Sequence, residues 1–196
     1  FIVDLKSPGI TIHSMVTMGG HITNEVFYDN VEVPKNCLVG EKNRGFYYIM
    51  EALDHERIYT INHSKIALDE LIEYAKSSGK AKDPIIRNKL AQLSIETEIA
   101  RLFALRIPWL IDKDISPTRE AAMLKILFAE SEQHLVNTAL QILSPFGQLK
   151  ENSKWAQLGG NFEYEYRESL RNLITRGTCE IMRNIIATRG LGLPTR

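Results

Sequence analysis

Cysteine is nearly absent: Cys37 and Cys179 are the only two in 196 residues. Two thiols do not make the dense disulfide framework of a small secreted scaffold, so a reducing compartment, the cytoplasm, is the expected setting. A surplus of either charge is also missing, with 24 lysines and arginines against 24 aspartates and glutamates. A dedicated nucleic-acid surface needs excess positive charge to displace counterions, so none is expected. No apolar run has the length of a membrane-spanning helix. His13, His21, His55, His63 and His134 show no metal-ligand spacing, so no metal site is expected. Internal repeats and low-complexity tracts are lacking as well. What remains is an ordinary globular mixture, 44% apolar and 24% charged.

Residues 1–40 read as β structure. Glu25-Val26-Phe27-Tyr28-Asp29-Asn30-Val31-Glu32-Val33-Pro34 is rich in β-branched and aromatic residues with a turn-like Asp-Asn inside it, and Pro8-Gly9 and Gly19-Gly20 punctuate short strands. Phe1 to Leu5 reads as the middle of a strand, so more chain is expected upstream. From Gly45 the period changes from two to 3.6. Phe46, Ile49, Met50, Leu53, Thr60, Ala67, Leu68, Leu71 and Ala75 follow helical spacing, and Gly79 ends that helix. A second helix is expected from about Pro84 to Lys113, with Leu90, Leu93, Thr97, Ala100, Ala104 and Ile107 on one face and a kink at Pro108. Ser116-Pro117 opens a third helix that reaches about Leu143. After a loop over 144–163 come a short helix near Glu165–Asn172 and another from Thr178 to about Arg189, closed by Gly190. The expected fold is mainly α: an up-down, four-helix-type bundle over residues 41–196, preceded by a short β segment, residues 1–40, from a truncated β-barrel domain.

One carboxylate stands out. With Ile49 at zero and about 100° per residue, Leu53, Glu56, Thr60, Ala67 and Leu71 fall in one narrow band, so Glu56 shares the apolar stripe. An ionised carboxylate there is costly unless it is paired or neutralised. Two readings stay open: a general base, or a carboxylate bonded to an arginine on another helix. Arg57 is next in sequence, but adjacent helix residues do not face each other.

Several segments together resemble the C-terminal half of the acyl-CoA dehydrogenase family. The β stretch of residues 25–34 and Leu38-Val39-Gly40 resemble the last strands of its middle domain. Gly45-Phe46-Tyr47-Tyr48 and Leu53-Asp54-His55-Glu56-Arg57 look like the opening of its first bundle helix. Gly177-Thr178-Cys179-Glu180-Ile181-Met182-Arg183-Asn184-Ile185-Ile186-Ala187 is similar to its C-terminal signature. The resemblance covers the whole chain in order. Family members are considerably longer, so an N-terminal helical domain and most of a β-domain are expected to be absent here.

The resemblance implies FAD-dependent α,β-dehydrogenation of an acyl-CoA thioester, in which a glutamate removes the α-proton and the β-hydrogen leaves as hydride to the flavin. Many members carry that base just before a Gly-Thr pair, where this chain has Arg176 ahead of Gly177-Thr178. Arginine does not act as a base at neutral pH. A second subgroup carries it on the first bundle helix before an arginine, which Glu56-Arg57 matches, so the resemblance makes Glu56 the catalytic residue. Arg57, Arg176 and Gly177 are then expected against the substrate. Gln141-Ile142-Leu143 followed by Gly147 resembles the flavin diphosphate loop, with Ser144-Pro145-Phe146 where two glycines are usual. Thr178 and Glu180 match positions that touch FAD. The family's arginine-phenylalanine flavin clamp is not recognisable in Ser78-Gly79-Lys80-Ala81-Lys82-Asp83. Implied partners are an acyl-CoA, electron-transfer flavoprotein as electron acceptor, and further subunits of a homotetramer or heterotetramer. A non-catalytic scaffold subunit and a same-fold flavin oxidase are the alternative functions.

Overall fold

In the computed structural model the described residues are 1–56 and 62–194. They form two strands, β1 (Ile10–Val16) and β2 (Ile22–Tyr28), and six helices. These are α1 (Gly45–Glu56), α2 (Asn62–Ser77), α3 (Pro84–Asp112), α4 (Thr118–Leu143), α5 (Asn161–Ile174) and α6 (Cys179–Ile185). The chain divides into two compact units, Phe1–Leu53 and Asp54–Arg196.

In the first unit β1 and β2 pair antiparallel, from Ile10 opposite Tyr28 to Val16 opposite Ile22. The Gly19-Gly20 segment makes the turn, and the Asp29 amide closes the open end on the Gly9 carbonyl at 2.8 Å. Gly9 has no alternative there: at φ +87° a Cβ would lie 2.1 Å from the Asp29 carbonyl oxygen. A two-stranded ribbon cannot enclose its own side chains, and almost every residue of both strands is exposed.

The second unit is a helical bundle centred on α4, which packs against α2, α3, α5 and α6. Alanines at 121, 122, 129 and 139 are fully buried and let the neighbouring backbones approach closely. One core cluster joins Leu68, Leu71 and Ala75 of α2, Leu90 and Leu93 of α3, Leu135, Val136, Ala139, Ile142 and Leu143 of α4, and Phe162 of α5. A second joins Ala100 and Ile107 of α3 to Ala121 and Leu124 of α4. Burying each large aliphatic side chain stabilises the fold by about 1.5–3 kcal/mol.

The helix ends follow from local chemistry. Asp83 caps α3, its Oδ1 accepting from the Ile85 amide at 2.8 Å, with Pro84 in the first turn where a missing N–H does no harm. Pro108, expected to kink α3, does not end it; the helix runs on to Asp112. Gly160, at φ +76°, sits so close to the Glu151 backbone that a Cβ would be 2.5 Å from its nitrogen. That contact starts α5 at Asn161, earlier than the expected Glu165. Past Ile185, α6 widens into a π-helical turn over Ile186–Gly190. No described helix is long and apolar enough to cross a membrane.

Candidate active site

The α5–α6 junction reverses sharply. Thr175 leaves α5 in an extended conformation, Arg176 takes a left-handed φ of 58°, Gly177 follows at 91°, and Thr178 returns to extended backbone as the cap of α6. A left-handed φ is uncommon for a side chain as large as arginine. The reversal aims Arg176 back at the first bundle helices, where its Nε donates to Glu56 Oε1 at 2.8 Å. Glu56 and Arg176, 120 residues apart, are thus in direct contact. They are also the two positions at which the family resemblance places a base.

Glu56 is not buried as its place on the helical stripe led one to expect: its side chain is 54% exposed. Phe46 and Ile49, earlier on the same helix, are exposed as well. The ion pair with Arg176 makes Glu56 a carboxylate bonded to a distant arginine, although that arginine lies in the junction rather than on a helix. Gly177 is half-buried in the same reversal. Arg57 lies outside the described residues.

Thr178 and Glu180 stand together at the start of α6. The Thr178 hydroxyl oxygen accepts from the Ile181 amide at 3.3 Å. The Glu180 carboxyl is held below its ordinary pKa, first by its own backbone N–H and then by the Thr178 hydroxyl. Beneath them lies a buried lysine that sequence reasoning missed. Lys125 of α4 donates to the Leu173 carbonyl at 3.1 Å and lies 3.6 Å from Cys179 Sγ, tying the last turn of α5 to the first of α6. Cys179 is a buried side chain, as its small size allows.

Gln141 and Gly147 lie at the other end of α4, with the Ser144-Pro145-Phe146 turn between them. Ser144 holds φ 59° and ψ −143°, backbone that glycine adopts far more readily. Gly147 is buried, and its need for glycine is packing: a Cβ would lie 2.9 Å from Leu143 Cβ. Two further residues join this end that no motif announced. Lys80 donates to the Ile142 carbonyl and, at 3.3 Å, to Ser144 Oγ, while Lys89 donates to Gln141 Oε1. Cations at a helix C-terminus offset its partial negative charge. With its oxygen held by Lys89, Gln141 keeps its amide N–H₂ as a donor. A set of ammonium, amide and hydroxyl donors suits a diphosphate, so the residues present fit that half of a flavin dinucleotide.

Residues 43–191 match the family profile of the acyl-CoA dehydrogenase C-terminal domain. The chain is 32% identical over 198 residues to a probable acyl-CoA dehydrogenase, YngJ, of Bacillus subtilis, covering 95% of this chain and 50% of that protein. It is 32% identical over 200 residues to the CarC subunit of the caffeyl-CoA reductase-Etf complex of Acetobacterium woodii, again covering 95% of this chain and 50% of the relative. Among solved structures, the Tcur3481-Tcur3483 steroid acyl-CoA dehydrogenase superposes with a TM-score of 0.92 at 26% identity, over 99% of this chain and 51% of that one. The chain therefore spans about half the length of these relatives. It belongs to the acyl-CoA dehydrogenase family, whose C-terminal helical domain it contains.

Proposed function

We propose that this chain supplies the base and the diphosphate-side flavin contacts for α,β-dehydrogenation of an acyl-CoA thioester. The observation that carries the reading is the contact between Glu56 and Arg176. Of the two positions where the family places its base, one is an arginine here, and it holds the carboxylate of the other. Glu56 takes the α-proton, which the neighbouring thioester carbonyl acidifies. Arg176, fixed by its own backbone reversal, sets the direction of that carboxylate, and Arg176, Gly177 and Arg57 are the proposed substrate contacts. Gln141, Gly147, Thr178 and Glu180 are the cofactor contacts. Lys80 and Lys89 add positive charge where the family's arginine-phenylalanine clamp is not recognisable. FAD, when bound, supplies the acceptor for the β-hydride. Run in reverse, the same Glu56 returns a proton to the α-carbon, the direction that the name of the Acetobacterium relative implies for that protein.

We further propose a boundary between β-domain and bundle near residues 40/41, a cytoplasmic setting, further subunits as assembly partners, and electron-transfer flavoprotein as electron acceptor. The last is supported by the Etf complex in that relative's name. A scaffold subunit of a heterotetramer is the second reading, favoured by one feature: Ser144 occupies glycine-like backbone where the family loop has glycines.

The test is Glu56→Gln in the intact, flavin-loaded protein, following flavin reduction by an acyl-CoA without oxygen. Loss of a general base lowers that rate by about two to four orders of magnitude, with the bound flavin retained. Near-normal reduction would sink the assignment. An intact protein that purifies colourless and cannot be reconstituted with FAD would favour the scaffold.

A further inference from the structure

The far end of the bundle from Gln141 holds a cleft that the proposed chemistry does not use. It lies where the end of α3, the start of α4 and the π-helical turn meet, and its volume is about 620 Å³. Arg106, Arg119 and Arg189 line it, with Trp109, Ser116 and a single carboxylate, Glu120. Glu120 is buried, and a buried carboxylate needs a cation. Arg119 meets that need, donating to Glu120 Oε1 from Nη2 at 2.6 Å and from Nε at 3.2 Å. Arg106 reaches the same oxygen only at 3.9 Å, and its side chain is 52% exposed. Arg189 is exposed and has no ion pair among the described residues. Asp112, the last residue of α3, is paired with Lys113 at 3.3 Å. Among the described residues three guanidiniums therefore line the cleft with one carboxylate, an excess of two positive charges.

The cleft is also built to hold its arginines in place. The π-helical turn carries Arg189 to the rim, and the next residue is Gly190. A Cβ on Gly190 would stand 2.9 Å from both Cγ and Cδ of Arg119, so glycine here makes room for the arginine stem. An excess of two charges matches a phosphate dianion, and guanidinium forks fit phosphate oxygens in pairs. The volume exceeds what a lone phosphate fills and lies within the range of small-molecule sites, about 300–1,000 Å³. Trp109 adds the flat face on which a base stacks.

We propose that this cleft binds a phosphorylated nucleoside, with the phosphate on Arg106 and Arg189 and the base against Trp109. The inference does not rest on the flavin or acyl chemistry. The ligand chemistry could belong to a free nucleotide or to the nucleotide end of a CoA thioester.

The chain has two tryptophans, so Trp155→Phe leaves Trp109 as the only one. In that background the fluorescence of the whole chain is titrated with AMP, adenosine, CoA and dephospho-CoA at low salt, and equilibrium dialysis with labelled AMP and CoA checks any spectroscopically silent binding. Saturable binding of AMP or CoA, with adenosine much weaker, is expected. Arg106→Gln and Arg189→Gln, both at exposed side chains and checked for intact helicity, should each weaken it by about tenfold, the loss of a charge-assisted bond. Equal binding of AMP and CoA identifies a free nucleotide as the ligand. Binding of CoA alone, lost in dephospho-CoA, identifies the 3′-phosphate end of a thioester. Adenosine binding as well as AMP, unchanged binding in both arginine variants, or no binding by dialysis would each overturn the proposal.

Discussion

Two neighbouring helices carry the same apolar stripe and meet opposite fates. On α2, Leu71 is fully buried at 0% exposure between α3 and α4, while on α1, Ile49 is 61% exposed. Periodicity is a property of one helix, whereas burial needs a second surface. A stripe says that a face is made to be covered, and the bundle covers that of α2. The same contrast separates two carboxylates. Glu56, on the α1 stripe, is half in water and paired with an arginine. Glu132, on α4, is buried and accepts a hydrogen bond from the Asn172 amide of α5. Burial raises its pKa; the Asn172 bond opposes that shift, and the nearby Glu165 charge adds to it.

The sharpest way to break the comparison is to truncate both stripes. Leu71→Ala should destabilise the chain by about 2–5 kcal/mol, the usual cost of emptying a tight core site. Ile49→Ala should stay within about 0.5 kcal/mol, as surface changes do. Urea unfolding of the two variants gives the answer, and equal losses would mean that α1 is covered in solution.

A smaller effect is expected at Glu132, and its sign is set by the raised pKa. Between the ordinary glutamate range and that higher value, the folded chain holds a proton that the unfolded chain has lost. Stability from this site is therefore present at acid pH and declines as pH rises through the folded pKa. Glu132→Gln keeps a hydrogen-bond partner for Asn172 and removes the charge. It should flatten the dependence and raise stability near neutral pH by on the order of 1 kcal/mol. Unfolding curves at pH 5 and pH 8 that shift alike in both proteins would contradict it.

Smallest of all is the stability carried by the Glu56–Arg176 pair. With Glu56 half exposed, solvent screens it, and Glu56→Gln should change the unfolding free energy by about 0–1 kcal/mol. A larger loss in urea would make Glu56 a structural partner first, against the proposed role.

Much of this architecture is legible along the chain. Leu90, Leu93, Ala100 and Ile107 announce the face of α3 that α4 covers. Pro84 marks the start of α3 by local backbone chemistry alone, whereas Gly190, read as a helix stop, is the last residue of the π-helical turn and makes room for Arg119. Ser116-Pro117 marks where α4 begins, at Thr118, but Ser116 is not its cap: Pro117 takes the cap position and no side chain caps the helix. The helix read as continuous from Gly45 to Ala75 is described as Gly45–Glu56 and Asn62–Ser77, and Thr60 lies outside the described residues. The candidate site was half legible. Glu56 could be singled out by its helical position, but its exposure and its partner could not, because both depend on a reversal at Arg176 far along the chain. Lys80 and Lys89 belong to no motif; only the end of α4 folding beside them gives them a role.

With Glu56 as the proposed base, the touching side chains of residues 56 and 176 would make that base movable. Because they meet across one hydrogen bond, a carboxylate at either address lies beside the same spot, with the other address free to carry the cation. Exchanging them, Glu56→Arg with Arg176→Glu, would hand the acid from a helix to a backbone reversal while leaving the pair's charge pattern intact. Two homologous chains could then place their acid at different points along the sequence yet at nearly one point in space. A double exchange that restores flavin reduction lost in either single variant would show the two addresses to be interchangeable.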